Sequence, residues 1–369
     1  MEFLLTFCIF APMKDIEKHN TTLCSTDASR YALVELHLHV DGSLTPDDVI
    51  LMAKEEGVDI PPSREELSNL LICPDHCEDL NRYLHCFALP IAVMQKESTI
   101  AYGVESLVRR LDAQRLLYAE LRFAPQQHMM KGLTQEAIVK AAIMGLRQGL
   151  ANCKNGFKAN LIVSCMRGKD NEEQNMETVR LAGKYLGEGI CGTDLAGAEA
   201  LYPTEHFRSI FAYAKSLDVP FTIHAGEAAG VESMRHAIEF GARRIGHGIR
   251  SYADAEMKQM LKDHDVCLTL CPSSNLQTKA LQGVTSYREY PLGAFFDDGV
   301  SVNISSDNMT VSNTSLRKEL EHCLTAGILT PEQAVLTVES AISHSFLSEG
   351  EKEELRKSVK TRIQGPISQ

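Results

Sequence analysis

His37 and His39 stand two residues apart in ALVELHLHV, a run that begins at Ala32. On a β-strand, residues i and i+2 face the same side, so the pair would offer two imidazoles to one point and could hold a metal ion. Further along, FTIHAGE brings His224 and, three residues later, Glu227. RIGHG brings His247, and VNISSD brings Asp307, followed by Asn308. If these runs are strands ending at one place, four imidazoles and a buried carboxylate converge there, and a buried Asp demands a partner. A divalent cation supplies it. Imidazole and carboxylate donors without thiolates suit zinc in an open, catalytic site. Such a zinc lowers the pKa of its bound water to about 7 and yields a nucleophile at neutral pH. Spacing alone leaves Glu227 open as a ligand, but with other donors available proton transfer is the role expected of it. No single motif decides the matter. His236 and Glu239 repeat the H-x-x-E spacing and read as neighbours on a helix face, and His37 and His39 alone could be hydrogen-bonded core residues.

Such a site needs elements that bring strand ends together. Eight short β-rich apolar runs begin at Ala32, Leu116, Ala159, Ile190, Val219, Arg243, Val266 and Val300. From the second onward their starts are 23 to 43 residues apart, room for one helix in each gap. Alternating strand and helix implies a parallel sheet, and eight units imply a single closed (β/α)8 TIM-type barrel over 31–350. An open doubly wound sheet is the rival. It should carry a Gly-rich turn after its first strand, and HLHVDGS is no such turn.

The first gap is longer, 84 residues. A helical insertion over 44–115 is expected there, above the C-terminal mouth of the barrel. In LNRYLHCF, Leu80, Tyr83, Leu84 and Phe87 fall at i, i+3, i+4, i+7, the stripe of an amphipathic helix. It reads either as a lid or as a segment simply packed on the barrel. Residues 351–369 read as a C-terminal helix and tail, and 1–30 as an N-terminal extension.

Composition narrows the chemistry. The 369 residues carry 37 Lys+Arg against 49 Asp+Glu, a net charge of −12, which argues against a basic nucleic-acid footprint. Eleven scattered cysteines do not form a secreted disulfide framework. Cys73 and Cys77 lack a second Cys/His pair at zinc-finger spacing. The opening MEFLLTFCIFAP has no basic flank and no small-residue cleavage site, and it is far too short to span a bilayer. It reads as a disordered or packed extension, or as untranslated if synthesis begins at Met13. A cytoplasmic protein without membrane partners is the expectation. Motifs of HExxH metalloproteases, cytidine-type deaminases, P-loops and dinucleotide folds are absent.

Taken together, ELHLHVDGS, YAELRFAPQ, CMRG, TDLAGAE, HAGE, RIGHG, CPSSN and SSDN, in this order over about three quarters of the chain, resemble the adenosine deaminase family of zinc-dependent purine hydrolases. The resemblance implies one zinc per chain on His37, His39, His224 and Asp307, with His39 also bordering the substrate. It implies that Glu227 protonates purine N1, that His247 orients and deprotonates the attacking water, and that Gly197 meets N3 through its backbone. Asp41 would accept the ribose 5′-hydroxyl, because related adenine deaminases typically read HLEG where this chain reads HVDG. Leu80, Leu84 and Phe87 resemble the family's apolar gate helix. Two departures stand out. Asn308 replaces a frequent second Asp, and an amide can donate to N7 directly; Ala198 stands where an acidic residue or Asn is frequent.

The implied reaction is hydrolytic deamination of adenosine and 2′-deoxyadenosine to inosine and 2′-deoxyinosine plus ammonia, a purine-salvage step on a small nucleoside. The rivals are deamination of another 6-aminopurine, such as free adenine or a 5′-modified adenosine, and an inactive zinc-binding barrel serving as a binding module. Asp41 argues against the free base, and intact Glu227 and His247 against the module.

Overall fold

The computed structural model describes residues 27–364 apart from 75, 76, 78 and 79; most of the expected N-terminal extension lies outside them. Eight parallel strands follow one another: β1 (Val34–His39), β2 (Tyr118–Phe123), β3 (Lys158–Met166), β4 (Ile190–Ala196), β5 (Thr222–Ala225), β6 (Arg244–His247), β7 (Cys267–Leu270) and β8 (Val302–Ile304). Each coincides with one of the eight expected runs, β3 overrunning its run by one residue at either end. They pair as β1-β2-β3-β4 and β5-β6-β7-β8. Single bridges, Thr193 to Phe221 and Leu38 to Asp307, join the two sheets at both seams. At the second seam the His39 N–H donates to the Asp307 carbonyl at 2.8 Å and the Asp307 N–H to the His37 carbonyl at 2.9 Å. The TIM-type α/β architecture read from the sequence is thus the observed one.

The segment after β1 holds helices α1 (Pro46–Glu56), α2 (Arg64–Leu71), α3 (Leu80–Leu84), α4 (Ala88–Ala92) and α5 (Glu97–Ala113). A reciprocal Thr45–Asp48 capping box with Pro46 in the first turn starts α1, and Gly57 in the left-handed conformation (φ 68°) ends it, both strong local signals. Of these, α3 and α4 bring Leu80, Tyr83, Leu84 and Ile91 to the cavity at the strand ends. Helix α5 packs along α6 (Gln135–Ala151), as an ordinary outer helix between two strands does. The expected 44–115 insertion therefore merges two structures, because periodicity finds helices but not the layer in which they lie.

The remaining long helices surround the strands; of the last two, Pro331–His344 packs on β8 and β1, and Glu349–Gln364 packs on that helix. Val338, Ala341, Ile342, Leu347 and Leu355 pack on Ala32, Val34, Leu36 and Leu117. Inside, the strands carry buried charge. Arg122 meets Asp194 at 3.2 Å, and Arg244 pairs with Glu120. Buried ions persist when paired and hydrogen-bonded; here Arg122 Nη2 also donates to the Leu36 carbonyl at 2.6 Å.

Candidate active site

At the C-terminal ends of the strands a cavity of about 220 Å³ is lined by His39, Asp41, Leu80, Leu84, Phe87, Gly197, His224, Glu227, His247, Asp307 and Asn308. Every site residue expected from the sequence lies on this wall except His37, which sits beneath it, fully buried. The volume is below the ~300–1,000 Å³ usual for drug-sized ligands, so it suits a small molecule. His236 and Glu239 lie elsewhere, on the helix Val231–Phe240, as expected of a helix face.

Donor atoms of His37, His224, His247 and Asp307 lie within 4.8 Å of one another. His39 joins them from one side, its Nε2 3.2 Å from His224 Nε2 and 3.4 Å from Asp307 Oδ1. Burial depresses the pKa of His37, His247 and His39, the last to about 3, so these rings are neutral at pH 7. A neutral imidazole has one N–H and one lone pair, and the groups behind each ring decide which nitrogen faces the cavity with which. Thr269 spends its hydroxyl proton on the Ile245 carbonyl and accepts from His37 Nδ1 at 2.8 Å. His37 Nε2 is left with its lone pair inward, buried, 3.3 Å from Asp307 Oδ1 and with no group donating a hydrogen bond to it. Asp194 lies 3.1 and 3.2 Å from His224 Nδ1 through its two oxygens, which likewise turns the Nε2 lone pair inward.

His247 is arranged in the opposite sense. Tyr290 donates to Asn275 Oδ1 at 2.8 Å, so the amide nitrogen of Asn275 faces His247 Nδ1, 3.0 Å away, and donates to it. The His247 proton then resides on Nε2, on the cavity side. By this chemistry His37 and His224 fit a cation and His247 fits a hydrogen-bond acceptor such as a water oxygen. The orphaned His37 nitrogen and the N/O donor set fit a divalent metal. Gly246 makes the close packing possible, since a Cβ there would lie 2.8 Å from His37 Cε1.

Backbone strain marks the same place. His247 and Asp307 are non-glycine residues in the left-handed region, at φ 63° and 58°. Such conformations cost about 1–3 kcal/mol and cluster at functional sites. For Asp307 the two hydrogen bonds to β1 hold it there.

Glu227 Oε1 accepts from Thr278 Oγ1 at 3.1 Å, and Oε2 lies 3.5 Å from His247 Nε2. Burial, with the Asp307 charge second, pushes its pKa up to about 8. It is therefore an acid at neutral pH, the state a proton donor requires. Asp41 accepts from the Gly42 N–H through Oδ1 at 2.9 Å, which leaves Oδ2 for a ligand. Gly197, at φ 107°, presents backbone where a side chain would intrude.

Several supporting groups were not singled out from the sequence. Asp194 and Glu199 lie within TDLAGAE and Asn275 within CPSSN, so the motifs contained them without assigning them a task. Arg167 lies likewise within CMRG, and it holds the backbone of His224 by donating to its carbonyl at 2.6 Å. Thr269, Thr278 and Tyr290 act through tertiary contacts that no local pattern announces.

The family model described as adenosine deaminase matches residues 32–362. An adenosine deaminase from Haemophilus ducreyi is 44% identical over 338 residues, 90% of this chain and 97% of its own. Among solved structures, the adenine deaminase of Arthrobacter aurescens superposes with a TM-score of 0.81 at 25% identity, covering 91% of this chain and 100% of its own. A zinc-bound amidohydrolase from Burkholderia ambifaria shares the fold at a TM-score of 0.82 and 16% identity, covering 94% and 95%. No helix among the described residues is long and apolar enough to cross a membrane. A deaminase-type barrel, a cavity with a metal-fitting donor set and this extent of similarity lead to one conclusion: the chain belongs to the adenosine deaminase family.

Proposed function

We propose that this chain hydrolyses adenosine and 2′-deoxyadenosine to inosine and 2′-deoxyinosine with release of ammonia, in the cytoplasm, using one zinc ion held by His37, His39, His224 and Asp307. The observation that carries the reading is the juxtaposition of Glu227, protonated at neutral pH, with His247 across 3.5 Å beside that donor set. The metal, when bound, makes a water nucleophilic near neutral pH.

The chain's own groups do the rest. Glu227 places a proton on purine N1, which leaves C6 electron-poor and open to attack. His247 donates its Nε2–H to the attacking water and fixes its line of approach; in this tautomer the ring orients the water and cannot take its proton. The water's oxygen ends on C6 of inosine. As the water adds, one of its protons passes to the Glu227 carboxylate left by N1 protonation and restores the acid; the other passes from the C6 hydroxyl to the amino group, which leaves as ammonia. Gly197 holds N3 through its backbone, Asp41 accepts the 5′-hydroxyl, and Leu80, Leu84 and Phe87 exclude bulk water above the base.

A substrate panel tests the specificity. Adenosine and 2′-deoxyadenosine should release ammonia readily, and 5′-deoxyadenosine more slowly, because the buried Asp41 acceptor is then unpaired at a cost of about 1–3 kcal/mol. Faster release from adenine or from a 5′-modified adenosine would replace the proposed substrate.

A further inference from the structure

Helix α3 places one hydroxyl in an otherwise apolar stripe. Tyr83 stands between Leu80 and Leu84, only 2% exposed. Its Oη lies 2.7 Å from Ser312 Oγ and accepts from Asn308 Nδ2 at 3.0 Å. Both Tyr83 and Asn308 line the cavity. The other end of the Asn308 amide, Oδ1, is buried without a partner. It is shut against Gly42, where a Cβ would come within 1.8 Å of it. The carboxamide therefore has its oxygen turned to the wall and its nitrogen shared with the lid. One N–H serves Tyr83, and the second remains for a ligand.

The loop that carries Asn308 is also where the lid is anchored. The Cys73 N–H donates to the Val311 carbonyl at 2.8 Å, and the N–H groups of Thr310 and Val311 donate to the Gly42 carbonyl at 3.0 and 3.1 Å. Residues 42, 83 and 308 thus form one contact, joining the turn that follows β1, the lid and the loop after β8.

We infer that Tyr83 is a positioning residue for substrate selection: with its hydroxyl proton given to Ser312 Oγ its oxygen can only accept, which fixes the edge of the Asn308 carboxamide that faces the purine and presents an N–H donor to N7. This rests on the proposed reading of the cavity as a purine-nucleoside site. An amide that can turn offers N7 either a donor or an acceptor, and an acceptor facing N7 repels. A fixed amide discriminates between purines that have a nitrogen at position 7 and those that do not.

The test compares kcat/KM for adenosine and 7-deazaadenosine in the wild type, Tyr83→Phe, Asn308→Ala and the double variant. Metal content and thermal midpoint are recorded for each. The wild type should favour adenosine by about 5- to 150-fold, the span of one unmade hydrogen bond. Tyr83→Phe should cut that preference at least threefold by slowing adenosine more than the deaza compound. The double variant should discriminate no less than Asn308→Ala alone, since coupled residues are non-additive. Ser312→Ala leaves the ring intact and removes the other partner of the phenol, and it should erode the preference in the same direction. If Tyr83→Phe slows both substrates equally, or if Tyr83→Phe and Ser312→Ala both leave the ratio unchanged, the inference is overturned. No ammonia from adenosine with the metal-loaded wild type would instead overturn the functional reading on which it rests.

Discussion

Glu199 holds the loop that carries Glu227: the N–H groups of four consecutive residues, Gly226, Glu227, Ala228 and Ala229, donate to its carboxylate at 2.7 to 3.1 Å. Glu199 follows Gly197 by two residues, so one side chain ties the turn after β4 to the turn after β5. Burial works against its charge, but Ser233, Arg167 and these backbone donors keep its pKa below the ordinary value. In Glu199→Gln an amide N–H would face N–H donors. Hydrogen bonds to charged groups contribute about 1.5–3 kcal/mol, so a loss of about 2–3 kcal/mol in stability is expected. Urea unfolding measures it, and a midpoint equal to the wild type would assign the clamp no energetic weight.

Glu227→Gln keeps the shape of the group and removes its exchangeable proton. The expected result is kcat lower by about two to four orders of magnitude with metal content unchanged. A variant within tenfold of the wild type would transfer the acid role elsewhere.

The same carboxyl sets a pH dependence. Burial raises its pKa to about 8, so the protonated, competent form dominates at neutral pH and is lost as pH rises through that value. The profile of kcat/KM should fall on its alkaline side near pH 8, and in Glu227→Gln that limb should vanish from the residual activity. An alkaline limb that persists unchanged in the variant belongs to another group.

Asp194 does not face the cavity, yet it orients His224 from behind at 3.1 Å. Loss of such a supporting carboxylate typically costs 10–100-fold in metal affinity. Asp194→Asn should weaken zinc binding by about that factor, read by competition with a chromophoric chelator. An unchanged affinity would mean that packing alone orients the ring.

How much of this was legible beforehand follows from the kind of signal each residue leaves. Strand runs, their spacing and the histidines at their ends are local and were readable, which is why the barrel and the lining of its mouth were anticipated. The boundary between lid and outer helix was not, because α4 and α5 are both helices and differ only in what they pack against. The environment of His247 was also out of reach. Asn275 meets the ring from 28 residues further along the chain and Tyr290 meets Asn275 from 15 beyond that, and these hydrogen bonds are what favour orientation over deprotonation for that ring. Tyr83 was visible as part of an apolar stripe, but its bond to Asn308 spans 225 residues.

The central claim is metal-dependent deamination of adenosine. The direct measurement is to incubate the purified, metal-analysed chain with adenosine and quantify inosine and ammonia together, before chelation, after it, and after zinc is restored. Equal amounts of the two products are expected from protein carrying about one metal per chain, none after chelation, and recovery with zinc. Full turnover in protein stripped of metal, or no inosine from protein that holds its zinc, would contradict it.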